Sequence, residues 1–143
     1  MNQLIYPTHE SLYFQNSLAQ IVEHSGHYVR VEWQNAPMRS PDLREVYEQI
    51  LLLLKESPLS KVLSNHQLMP PIMPPDQLWL ATDWAPRAVH ESHFRYCAVV
   101  DAYDVYNRLS TTSVVQHIRR TLNLRVPHFP DQVSAERWLL GCN

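Results

Sequence analysis

Glycine is nearly missing from this chain: Gly26 and Gly141 are the only two in 143 residues. The P-loop, the G-x-G-x-x-G dinucleotide fingerprint and the G-x-S-x-G nucleophile elbow each need several residues without a Cβ where backbone approaches a ligand or turns sharply, so all three are excluded. Cysteine is scarce too, with Cys97 inside the apolar run Tyr96-Cys97-Ala98-Val99-Val100 and Cys142 one residue from the last position. Such a pair makes no disulfide framework and fits a reducing cytoplasm, with Cys97 read as a small buried hydrophobe. Excess charge of either sign is lacking: 12 Lys and Arg stand against 14 Asp and Glu, a net charge of -2. A dedicated binder of nucleic acid or of an anionic membrane needs a basic excess that is not there. The longest wholly aliphatic run, Ile50 to Leu54, falls far short of the ~20 residues that span a bilayer, and no charged start followed by an apolar stretch marks an export signal. Neither membrane insertion nor export is expected.

What remains is a globular composition, 45% hydrophobic and 18% charged. That suits one domain over 1–143, with an ordered core over about 12–140. From Leu12 to Trp33 the residues favour strands. Val29, Val31 and Trp33 alternate with Arg30 and Glu32, and Ser25-Gly26 supplies a turn for pairing back onto Leu18 to Glu23. Ser40 as N-cap and Pro41 as first helical residue open a helix to about Glu56, striped by Leu43, Val46, Ile50 and Leu54. Lys61 to Asn65 is a short strand. Arg95 to Val100 is a central strand, followed by a helical stretch from Tyr103 to Leu124 that the hydroxyls of Ser110, Thr111 and Thr112 are expected to interrupt. Arg125 to Phe129 reads as an edge strand because it holds Pro127. A last amphipathic helix, Asp131 to Leu140, should turn Val133, Ala135, Trp138 and Leu139 inward. Strands alternating with helices imply parallel pairing by right-handed crossovers. The expected class is α/β: a mixed sheet of four to five strands, an antiparallel hairpin first and parallel strands after, with four to five helices packed against it.

The most unusual segment is His66-Gln67-Leu68-Met69-Pro70-Pro71-Ile72-Met73-Pro74-Pro75. Prolines supply no backbone donor and force extended geometry, so it reads as a semi-rigid loop. Asp76 then serves as N-cap of a helix over Gln77 to Glu91, with a bend near Ala85 where Pro86 breaks the hydrogen-bond ladder.

The pieces Ser64-Asn65-His66-Gln67-Leu68-Met69, Pro75-Asp76-Gln77-Leu78-Trp79-Leu80, Trp84-Ala85-Pro86-Arg87-Ala88, Ala98-Val99-Val100 and Phe129 to Leu139 resemble, in order and spacing, small bacterial STAS/Sec-fourteen-like domains. STAS is the fold of sulphate-transporter cytoplasmic domains and anti-sigma-factor antagonists. The resemblance runs from about Leu12 to Leu140 and implies a small α/β domain without cofactor that acts in binding or regulation. Phosphorylated antagonists of that fold carry an Asp-Ser-x-Gly-type turn after a strand. Here the matching strand end is Ser64-Asn65-His66, so the chain departs from the phosphoserine pattern.

Candidate chemistry concentrates in the loop and the helix after it. His66, Met69, Met73, Trp79, Trp84 and Arg87 are the candidate ligand- or partner-binding residues: Met adapts to a guest, Trp offers area, and a few polar groups orient it. The alternative is that Met69 and Met73 simply close the core, with Asp83 and Arg87 paired on the surface. Of the eight histidines, His9 among them, His90 and His93 are closest in sequence, and two ligands do not complete a tetrahedral metal site. For nucleophilic catalysis Ser64 and His66 stand near Asp76 in sequence and Cys97 has histidines elsewhere, though prolines occupy the turn where oxyanion donors would stand; the enzyme alternative is a small hydrolase centred on Ser64 and His66. The expected function is therefore a non-catalytic regulatory or interaction module. It takes an unknown protein partner or a small hydrophobic ligand, with homodimerisation through an apolar patch as a further expectation.

Overall fold

Alternating side chains build the opening of the fold. In the computed structural model, which describes residues 10–24 and 26–143, β1 (Glu10–Gln15), β2 (Ala19–His24) and β3 (Tyr28–Trp33) form an antiparallel meander. Val29, Val31 and Trp33 are buried, while Arg30 and Glu32 between them are half-buried. Gly26 takes φ +76° in the β2–β3 turn, a value that strains any residue with a Cβ. His9 and Ser25 lie outside the described residues.

After β3 the pairing turns parallel, through β4 (Lys61–Asn65), β5 (Tyr96–Val100) and β6 (His128–Phe129), and the sheet order is β1-β2-β3-β4-β5-β6. The expected α/β architecture forms, with six strands instead of four or five: β1 adds one ahead of the hairpin. The last strand is short because Pro127 cannot donate to the ladder, though its carbonyl accepts from Val99 N at 3.0 Å.

Among the described residues four helical rods pack on the sheet. On one face lie α1 (Ser40–Lys55), a rod made of α2 (Pro74–Trp79), a π-helical turn (Leu80–Trp84) and α3 (Ala85–Glu91), and α4 (Val105–Thr121). There Val29, Val31 and Val62 meet Leu43, Val114 and Ile118 in the larger core cluster. On the other face α5 (Gln132–Leu140) sets Ala135 and Leu139 against Tyr28, Leu63, Ala98 and Val100. Among the described residues no helix is long and apolar enough to cross a membrane.

Several local expectations are corrected. Ser40 is not the cap of α1 but its first residue, after Arg39, and its hydroxyl donates to Asp76 Oδ1 at 2.7 Å. Asp76 is not a cap either. It is buried inside α2 and also accepts from Arg44 Nε at 2.9 Å, so both side chains serve a tertiary bond between two helices instead of their own helix ends. At Pro86 the hydrogen-bond ladder is disturbed, as expected, but without a break in the helix. The chain stays helical through Ala85, and the misfit is absorbed one turn earlier as the π turn, which widens the ladder where the proline ring would crowd a carbonyl. Nor is α4 interrupted, because Ser110 and Thr112 hydroxyls donate to the carbonyls of Asn107 and Arg108 within the helix. Val133 is exposed, since it lies on the opposite side of α5 from Ala135 and Leu139, which stand four apart on the buried stripe.

Candidate functional site

Strand alternation decides what faces the helical layer at the sheet centre. Val62, Ser64 and His66 of β4 and its extension point one way; Leu63 and Asn65 point the other. Under the first set lies a cavity of about 80 Å³. Its sheet wall includes Val31, Ser64 and Val99, and its helical wall includes Tyr47 of α1, Trp84 of the π turn and Val115 of α4. The proline-rich loop contributes Ile72.

The polar part of this wall is one continuous hydrogen-bonded row. Trp33 Nε1 donates to Ser64 Oγ at 3.1 Å, and Ser64 Oγ lies 2.9 Å from His66 Nε2. His66 Nδ1 lies 3.3 Å from Thr111 Oγ1, which donates to Asn107 Oδ1 at 3.3 Å, and Asn107 Nδ2 closes the row on Pro70 O at 2.8 Å. An indole N–H can only donate, so Ser64 accepts it and passes its own proton to His66 Nε2; the ring then carries its proton on Nδ1 and gives it to Thr111. Burial pushes His66 down from 6.5 to about 4, against a smaller upward pull from Asn107, so the ring is neutral at pH 7. Burial also pushes the Cys97 thiol up to about 12 and raises the Tyr47 phenol.

The structure divides the residues expected to bind. His66 and Trp84 line the cavity, with Trp84 Nε1 anchored on the Tyr47 carbonyl at 2.6 Å. Met69 is fully buried in the larger core cluster and closes the core, whereas Met73 is exposed. Trp79 is half-buried outside the cavity, under the Arg44 guanidinium at 4.9 Å. Arg87 faces outward: it bonds Glu48 through both terminal nitrogens at 2.9 and 3.0 Å and Asp83 at 3.1 Å, which leaves the expected Asp83 pair as one part of a surface cluster. Thus two of the six residues share the cavity and the other four do not.

Nothing in the sequence reading marks Tyr47, Thr111 or Asn107 as site residues. Thr111 and Asn107 stand four apart on α4, and that spacing is the signal that could have found them. A second polar cluster covers the β1–β3 part of the opposite sheet face. There Glu10 pairs with Arg30 and His24, Glu32 accepts from Asn65 Nδ2 at 3.1 Å, and Tyr28 donates to Glu136 at 2.6 Å. Arg30 Nε and Glu32 Oε2 are 3.2 Å apart without hydrogen-bond alignment, and desolvation raises the Glu32 carboxyl despite that neighbour. Among the described residues no three His, Cys, Asp or Glu side chains are grouped to hold a metal ion. No family model, curated protein or solved structure shows a significant match to this chain.

Proposed function

We propose that this chain is a cytoplasmic, non-catalytic regulatory module of the STAS/Sec-fourteen-like kind, holding a small, largely apolar ligand in the cavity between its sheet and the helix that follows the Met/Pro loop. The cavity carries the reading. Interiors hold few voids larger than a water molecule. At about 80 Å³ the space is several times what one water needs, and most of its lining is aliphatic or aromatic, so a small guest there gains contacts with the wall. A guest that fills the space recovers contacts the chain forgoes alone. Native mass spectrometry of the purified protein and thermal unfolding with added small guests test it. Val99→Ile, which adds one methylene to the wall, should stabilise the empty protein by up to about 1 kcal/mol and weaken its response to guests. No retained molecule together with no guest-dependent rise in Tm would overturn the reading.

One observation favours a hydrolase instead, the 2.9 Å contact of Ser64 with His66. Against it, the nearby donors are committed: His66 N donates to Val100 O and Gln67 N to Asn65 Oδ1, which leaves an oxyanion without these N–H groups. Esterase activity lost in Ser64→Ala would decide for the enzyme. For the homodimer reading, Leu68, Met73 and Leu78 are exposed apolar side chains, and light scattering reports whether the chain self-associates.

A further inference from the structure

We infer that the guest of this cavity is a small uncharged alcohol, its hydroxyl giving its one proton to the free lone pair of Ser64 or of Thr111 and accepting one from Tyr47. This rests on the cavity reading proposed above. It follows from counting which hydrogen-bonding capacity the wall has left. The Trp33 indole starts the row, and each later proton is committed: Ser64 to His66, His66 to Thr111, Thr111 to Asn107. Both His66 ring nitrogens are therefore used. A hydroxyl oxygen has two lone pairs, so Ser64 Oγ and Thr111 Oγ1 each keep one, and both residues line the cavity. Tyr47 lines it as well, its ring clamped by Trp33 at 5.4 Å and Trp84 at 5.0 Å between centroids. Its hydroxyl makes no hydrogen bond among the described residues and is not one of the buried polar atoms left without a partner, so it keeps open space beside it and a proton to give.

A wall with spare acceptors and one spare donor suits a group that both gives and takes, which a hydroxyl does and a hydrocarbon does not. Charge is the second filter. Among the described residues no Asp, Glu, Lys or Arg lines the space, so a carboxylate or an ammonium would leave water for a site without a counter-ion. Size is the third. At 80 Å³ the space is about half of the ~150 Å³ that takes a benzene ring, which leaves room for about three or four heavy atoms without rearrangement.

The experiment titrates the isotopically labelled full chain at pH 7 with 2-propanol, xenon and acetate, following the His66 and Tyr47 ring signals and the Val99 and Val115 methyls by NMR. The expected result is a saturable response to 2-propanol that weakens about fivefold in Tyr47→Phe, with xenon binding unchanged by that substitution and acetate producing no saturable shift. Thr111→Val gives the same comparison should Tyr47→Phe not fold. If xenon enters but 2-propanol binds wild type no better than either variant, the alcohol falls and the cavity reading stands. If neither xenon nor 2-propanol enters, the cavity reading itself is wrong. Saturable acetate binding would overturn the requirement for an uncharged guest.

Discussion

His66 shows how one buried side chain ties stability to pH. Its folded value near 4 lies below the 6.5 of an exposed ring, so between those limits the unfolded chain binds the extra proton. The stability that depends on a neutral ring is complete above about pH 6.5 and is lost as pH falls toward 4. For a ring this buried the loss amounts to about 3 kcal/mol. Urea denaturation from pH 7.5 to 4 should show that decline, and His66→Gln, which cannot titrate, should flatten it. An equal slope in the variant would assign the pH dependence to other groups. His66 was legible as a candidate because a histidine after a strand invites attention. Its neutrality was not, since that comes from burial, which is complete only once elements far apart in the chain have packed over the ring.

At the scale of elements, periodicity carried most of what could be read. The alternation in β3, the stripe of α1 and the apolar run of β5 each bury one defined set of side chains, and such patterns survive folding because every residue in them points to the same layer. Caps and breaks did less well. Ser40 and Asp76 have local chemistry suited to helix ends, yet across 36 residues they bond each other, a choice that becomes available only once α1 and α2 are packed. Pro86 signals a defect without saying whether a helix answers by ending, bending or widening. Here it widens, and the π turn brings Leu80 and Trp84 together onto the cavity. Pro86→Ala restores an N–H and removes the ring, so the turn should tighten. We expect slower amide exchange over 80–86 and a stability gain of no more than about 1 kcal/mol. Unchanged exchange there would mean that packing, not the proline, holds the π geometry. The cavity was not legible at all, because a void is what several elements leave between them and belongs to none.

On the scale of the whole molecule, the two methionines of the proline-rich loop separate core from surface. Met69 has no exposure, and Met73 keeps more than half of its own. Met69→Asp puts a carboxylate into the larger core and should cost several kcal/mol, enough to unfold a chain of ordinary stability. Met73→Asp should leave circular dichroism and Tm within about 2 °C of the parent and change only any self-association seen by light scattering. Loss of structure in Met73→Asp would show that the exposed side of the loop also supports the fold.

Strand order in the sheet equals order in the chain, and this bears on how the molecule is made. Each strand joins the one synthesised just before it, so ladders can be added in sequence without waiting for a distant partner. The helix that shelters Leu63, Ala98 and Val100 arrives after all six strands. Until then a nascent chain carries a finished ribbon with one greasy side bare, the interval in which a chaperone would find it.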